Sequence, residues 1–302
     1  MVSVMQQYEK EFGVKITFSV EKEPLGTAGP LALARDILDN AEDEPFFVLN
    51  SDIICDFPFT DMLEAHRRNS AEGTILVTKV EEPSKYGVIV CDSANQIKSF
   101  VEKPAEFISN RINAGIYILS PRILARIQPR PTSIEKETFP AVAKAGTLFA
   151  FDLEGFWMDV GQPKDYLQGT SLYLQSLARK NPKQLSAAGK NIIGNCLIHP
   201  TARIGTDCLI GPSVVIGPGV VIEDGVRISK SVIFEGSTVH SHACVSNSII
   251  GWNSSIGRWA RVEGTSVFGE DVAVSEEIYV NGGFILPHKG ISANICEPKI
   301  VM

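Results

Sequence analysis

The chain has 302 residues, 44% of them hydrophobic, which is enough for one large core or two ordinary domains. Its formal net charge of −7 gives no support to a nucleic-acid binder, which would present a basic face. A phosphate ligand would have to be held by a few placed Lys or Arg side chains or by a metal ion.

The opening stretch, MVSVMQQYEKEFG, has no apolar h-region and is not a signal peptide. Its apolar residues Met1, Met5, Tyr8 and Phe12 recur at helical spacing. Val14, Ile16, Phe18 and Val20 then alternate with polar residues, which is strand periodicity. A Gly/Pro loop follows over Glu23–Pro30, then a short helix over Leu31–Leu38. The continuous apolar run Phe46–Asn50 reads as a buried strand of a parallel sheet. A helix is expected over Thr60–Asn69 with Thr60 as N-cap. Strands are expected at Thr74–Val80 and Tyr86–Val90, with a hairpin joining Val88–Cys91 to Gln96–Val101. A strand at Gly115–Leu119, a helix at Ile134–Ala145, a strand at Leu148–Leu153 and a long helix at Pro163–Lys180 complete this part. Alternating strands and helices indicate an α/β domain.

Asn181–Asn191 is polar and lacks a period, which marks a linker over 182–191 between a domain at 1–181 and another at 192–302. Beyond it Ile198, Ile204, Ile210, Ile216, Ile222 and Ile228 recur every six residues. The register slips by one and resumes with Ile233, Val239 and Val245, then slips again to Ile250, Ile256, Val262, Phe268 and Val274. This is the hexapeptide signature of a parallel β-helix, in which one aliphatic side chain per hexad points into a triangular prism. The period predicts a β-helix over 192–276, with about four coils in residues 198–274. Hexapeptide acyltransferases use a histidine between coils, and His240 and His242 lie in the repeat. Histidines on solvated corners are the simpler account, and an acyltransferase would leave the front domain unexplained.

The six cysteines form no CxxC pair and have no histidine cluster beside them, so neither a zinc site nor a redox motif is expected. No uninterrupted apolar run approaches a membrane span. The expectation is a cytoplasmic protein with reduced thiols.

In the front domain Asp52 lies just past an apolar strand, where open α/β sheets bind ligands, and Asp159 follows Phe156-Trp157-Met158. Two such carboxylates could share a hard cation, or each could cap a turn. Lys103 follows the strand ending in Val101-Glu102, and a lone surface lysine is usually only solvated. Asn113-Ala114-Gly115 reads equally as a turn. The ordered set is more specific than its parts. It runs EPLGTAG at 23–29, LNSD at 49–52, KYGV at 85–88, FVEKP at 100–104, NAG at 113–115 and WMDVG at 157–161, followed by the hexapeptide repeat.

In that order and spacing the chain resembles the sugar-1-phosphate nucleotidyltransferases over nearly its whole length, with wording nearest the catalytic type of the eukaryotic mannose-1-phosphate guanylyltransferases. The resemblance implies a Rossmann-like nucleotidyltransferase domain, incomplete at its N-terminus, followed by a left-handed parallel β-helix with a short tail. It implies the substrates GTP and mannose 1-phosphate, the product GDP-mannose, and Mg²⁺ as cofactor. Asp52 and Asp159 would hold the metal, facing one another across a cleft at the carboxyl ends of the sheet and within about 5 Å of each other. Lys103 would bind the sugar phosphate and Glu102 a mannose hydroxyl. Asn113 and Gly87 would lie along the sugar, and Gly26, Thr27 and Gly29 would let the base approach the backbone. Lys164 would supply a second phosphate contact. A homo-oligomer, or a hetero-oligomer with a related regulatory subunit, is implied as partner state. The family's GGxGTRLxPLT loop, which grips the triphosphate, is spelled nowhere in the 302 residues. The expectation is therefore a truncated chain of low activity, or alternatively a non-catalytic regulatory or scaffold subunit.

Overall fold

A computed structural model of the chain describes residues 2–39 and 43–302, with Ser3 described by its backbone only. By contacts the chain forms two compact units. One holds the residues up to Asn50 together with Pro58–Leu153, and the other holds Ser51–Phe57 together with Glu154–Met302. In chain order the elements before the repeat are α1 (Val2–Phe12), α2 (Gly29–Leu33), α3 (Arg35–Leu38), β1 (Phe46–Leu49), β2 (Ile53–Cys55), α4 (Phe59–Arg68), β3 (Gly73–Lys79), β4 (Gly87–Cys91), β5 (Ile97–Glu102), β6 (Arg111–Leu119), α5 (Phe139–Lys144), β7 (Leu148–Asp152), β8 (Trp157–Asp159) and α6 (Pro163–Lys180).

In the first unit, α1 forms where Met5, Tyr8 and Phe12 recur, and the Tyr8 and Phe12 rings stack at 5.9 Å. Met1, the first residue of that spacing, lies outside the described residues. The alternating stretch Val14–Val20 is not a strand. It is held back on α1 through Ile16 N, which donates to Glu9 Oε1 at 3.0 Å, and no described strand pairs with it. Alternation suits a pleated surface but supplies no partner for the backbone N–H and C=O groups.

The sheet runs β5-β4-β6-β3-β7, with β1 beside the end of β6. Only β3 and β7 are parallel. Phe46–Leu49, expected as a buried strand of a parallel sheet, pairs antiparallel with β6 and is only half-buried. Thr60 is not the N-cap of α4. Pro58 takes that place, with no side chain capping the turn. The expected helix at Ile134–Ala145 is a single π-turn at Ile134–Thr138 followed by α5. The β4–β5 hairpin forms as expected. Asp92 Oδ1 accepts from Ala94 N and Gln96 N, and Asn95 adopts φ 59°, a conformation asparagine tolerates. The core packs Ile75, Val77, Ile89, Ile97, Tyr117, Leu119, Phe139 and Leu148 together, with Tyr117 edge-on to Phe139.

His66 on α4 is 4% exposed, with Nδ1 2.9 Å from Thr74 Oγ1. Burial, and then the charges of Arg122 and Arg67, push its pKa down to about 4. The unfolded chain takes up that proton near pH 6.5, whereas the folded chain resists it until about pH 4. Stability is therefore lost as pH falls through this window, by about 2 kcal/mol at pH 5 from this residue. Urea unfolding at pH 7 and pH 5 should show wild type losing about 2 kcal/mol more than His66→Gln. Equal losses in the two proteins would refute the assignment.

In the second unit the repeat folds as three parallel sheets of six, five and seven strands. The predicted inner series is buried from Ile210 to Val274, and Ile198 and Ile204 pack partly buried against it. The solenoid is longer than the predicted 192–276. Val280, Ile285, Ile291 and Ile295 continue the core, and the supposed tail is its last rung, with Lys299–Val301 pairing Gly283–Ile285. The corners show why the period holds. Asp207, Gly225, His242, Trp259 and Glu277 recur one coil apart, all with φ between 54° and 70°. Where the register slips, the corner is shorter and carries a buried serine. Ser248 N donates to Ser231 Oγ at 3.1 Å and Ser248 Oγ donates to Ser246 O at 2.8 Å, so the buried hydroxyls are satisfied. His240 and His242 sit on corners. His240 Nδ1 lies 3.0 Å from Glu223 Oε1, and His242 stacks on Trp259. α6 lies on one sheet face, where Leu167 and Tyr166 meet the outward side chains of Val232 and Ile249.

Candidate active site

The residues singled out in the sequence fall into two groups, one in each unit. In the first unit the loop Leu25–Gly29 is fastened to Thr132. Thr132 N donates to Leu25 O at 3.0 Å and Ala28 N donates to Thr132 O at 2.9 Å. Gly26 has φ 71°, and a Cβ there would come within 2.6 Å of Thr132 O, so only glycine fits. Leu25, Ala28 and Gly29 are buried, while Gly26 and Thr27 are exposed. This leaves the Gly26-Thr27 backbone open to a flat ligand.

Gly87 opens β4 beside Glu102, the last residue of β5. A Cβ on Gly87 would meet Glu102 Oε2 at 2.8 Å and the Phe100 ring at 2.7 Å. Burial, and then the nearby charge of Glu135, raise the Glu102 pKa, with Lys103 and Lys136 opposing. Lys103 is exposed at φ 48°, a strained conformation for lysine, and its N donates to Tyr86 O at 3.1 Å. Its Nζ stands 4.0 Å from Glu102 Oε1. Asn113 belongs to a strand and not to a turn. β6 is bulged here, since the pairing with β3 shifts between Ile75 and Val77, and Gly115 has φ 78°. Asn113 Oδ1 accepts from Gly115 N at 2.9 Å, and its Nδ2 donates to Tyr117 OH at 2.9 Å.

In the second unit Asp52 and Asp159 come together as a pair, but on a ribbon of their own and not at strand ends of the main sheet. β2 and β8 form a separate two-stranded antiparallel ribbon, in which Ile53 registers with Asp159. Val160 N donates to Asp52 O at 2.7 Å, and Asp159 Oδ1 accepts from Gly161 N at 3.0 Å. The two carboxylates converge on Gly161, where a Cβ would lie 3.2 Å from Asp159 Oδ1 and 3.5 Å from Asp52 Oδ2. The ribbon is anchored from behind. Gly169 of α6 packs against Val160, Ile54 and Met158, and Ser176 Oγ donates to Asp56 Oδ1 at 2.8 Å. Lys164, at the start of α6, is exposed. Cys55 is buried behind the pair, its pKa pushed up to about 12 by burial and then by Asp56, so it is no nucleophile.

Paired carboxylate oxygens suit a hard cation. Among the described residues no cluster of three or more His, Cys, Asp or Glu could hold an ion by itself. The ion would thus be completed by water and ligand phosphate oxygens, the mode Mg²⁺ favours. Sequence reasoning missed Glu135, Lys136 and Tyr117, whose charges or hydroxyl reach Glu102 and Asn113. Glu135 and Lys136 read as the first turn of a helix, and nothing in the local sequence sets them apart.

Residues 1–176 match the family model described as nucleotidyl transferase, and residues 192–301 match that described as the GMPPB C-terminal domain. The chain belongs to the nucleotidyl transferase family. A relative from Schizosaccharomyces pombe named mannose-1-phosphate guanyltransferase is 62% identical over all of this chain and 84% of its own length. A Xenopus laevis relative named mannose-1-phosphate guanyltransferase beta-A is 58% identical, over 99% of this chain and 82% of its own. Among solved structures, a Bacillus anthracis protein described as a glucose-1-phosphate thymidylyltransferase superposes with a TM-score of 0.51. It is 23% identical, over 63% of this chain and 74% of its own, which speaks to the fold. No helix among the described residues is long and apolar enough to cross a membrane.

Proposed function

We propose that this protein is a mannose-1-phosphate guanylyltransferase, converting GTP and mannose 1-phosphate to GDP-mannose and pyrophosphate in the cytoplasm for glycosylation. The observation that carries the reading is the convergence of Asp52 and Asp159 on Gly161, within a chain 62% identical to a relative of that name. A phosphate oxygen of mannose 1-phosphate attacks the α-phosphorus of GTP in line. The bond to the β-phosphate oxygen breaks and pyrophosphate leaves with its electron pair. No protein nucleophile is needed, so the side chains position the reactants and offset charge. Asp52 and Asp159 would hold Mg²⁺, which supplies a positive centre for the phosphate oxygens. Lys103 neutralises the sugar phosphate, Glu102 accepts from a mannose hydroxyl, and Asn113 and Gly87 border the sugar. The Gly26, Thr27 and Gly29 backbone receives the base, and Lys164 makes a second phosphate contact. The assembly is a homo-oligomer, or a hetero-oligomer with a related regulatory subunit.

The test is a titration with Mn²⁺ in place of Mg²⁺, followed by electron paramagnetic resonance in the presence of GDP-mannose. The wild-type chain should bind the ion with the nucleotide sugar. Asp52→Asn and Asp159→Asn should each weaken that binding about tenfold or more, since each removes one of two protein oxygens. Binding unchanged in both variants would sink the metal assignment. A wild-type chain that took up no GDP-mannose would sink the function.

A further inference from the structure

Glu135 has no part in the reaction as described above, yet it ties the Gly26–Gly29 loop to the turn at Ile134–Thr138. Its Oε2 accepts from Thr27 Oγ1 at 2.7 Å and from Ser133 Oγ at 2.8 Å. Thr27 Oγ1 accepts in turn from Ile134 N at 2.9 Å. The hydroxyl therefore has both its proton and an acceptor lone pair committed to one turn of chain, and its rotamer is set by that turn. The two backbone bonds through Thr132 hold the base of the loop. Glu135 holds its exposed tip. The turn that carries Glu135 is a π-turn, a rare form frequent at functional sites. The charge of Glu135 also bears on Glu102, whose pKa it helps to raise after burial.

We propose that Glu135 is a positioning residue for the nucleotide: by orienting Thr27 it holds the Gly26–Gly29 backbone where the base of GTP is received. The inference rests on the function proposed above and deepens it. A bond to an ionised acceptor is among the stronger hydrogen bonds, so its loss should reduce nucleotide affinity by roughly tenfold. Thr27 and Glu135 act as one device, so the losses should not add.

The experiment uses the full chain and four variants, Glu135→Ala, Glu135→Gln, Thr27→Val and Thr27→Ser. Amide hydrogen exchange is measured without ligand, and affinities for GTP and for mannose 1-phosphate are measured separately. Glu135→Ala and Thr27→Val should each speed exchange at Ala28 and weaken GTP binding about tenfold, and the double variant should be no worse than either. Thr27→Ser keeps the hydroxyl and Glu135→Gln keeps an acceptor oxygen, so both should stay within about threefold of wild type. Mannose 1-phosphate affinity should hold in all four. If Glu135→Ala folds poorly, Thr27→Val, at an exposed site, carries the same test. The inference is overturned if the variants bind GTP like wild type, or if both ligands weaken equally, which would mark general damage. A wild-type chain that binds no guanine nucleotide would sink the proposed function, and this role with it. Equal binding by wild type and variants would sink the positioning role alone.

Discussion

Replacing Ile216 by Asp is expected to unfold the solenoid around its rung, because the side chain is 1% exposed and stacks between Ile198 and Ile233 in register. An unpaired carboxylate in an apolar interior costs several kcal/mol, and Ile216 belongs to the apolar cluster that fills the solenoid. Neighbouring coils stabilise one another through shared interfaces, so the damage should spread beyond one strand. Hydrogen exchange should rise at Ile198, Ile216 and Ile233, and the thermal transition of the β-sheet signal should fall or vanish. Arg227→Asp is the control. It sits on a rung strand beside buried Ile228 but points outward. A melting temperature for Ile216→Asp close to that of Arg227→Asp would mean that the aliphatic ladder is not what holds the solenoid together.

The second large effect is on turnover. The 302-residue polypeptide should make GDP-mannose at least about a hundredfold more slowly than the same polypeptide joined to a GGxGTRLxPLT-type segment. Stabilising charge on a transferring phosphoryl group often supplies the largest share of the rate, and losing one donor costs about a hundred- to a thousandfold. None of the 302 residues spells such a loop. Lys103, Asp52 and Asp159 could hold the sugar phosphate and the metal, but they do not cradle three phosphates for in-line attack. Pyrophosphate release from GTP and mannose 1-phosphate, assayed for both proteins side by side, checks this. Comparable rates would mean that the triphosphate is gripped by residues of this chain not yet identified.

What could be read from the chain alone was whatever depends on neighbours in sequence. The six-residue period marked the inner ladder from Ile210 to Val274 residue by residue, because each hexad must place one side chain inward whatever lies around it. Pro163–Lys180 was legible as one helix, since its apolar spacing and its N-terminal proline are both local. The ordered motifs named the family for the same reason. Tertiary structure decided where pairing with a distant segment was required. Val14–Val20 has a strand's alternation but no strand to join among the described residues. Phe46–Leu49 is apolar enough for a parallel strand, yet its available partner is the antiparallel end of β6. Asp52 and Asp159 were expected near each other at strand ends of the main sheet, but a separate two-stranded ribbon is what brings them together. Glu135 looked like any acidic residue in a first helical turn until folding placed it against Thr27, 108 residues away. Backbone hydrogen bonds within a helix or one coil are satisfied by nearby residues, so their signal is written locally. A sheet partner or a carboxylate's neighbour is chosen by the whole packed chain, and no short stretch of sequence carries that choice.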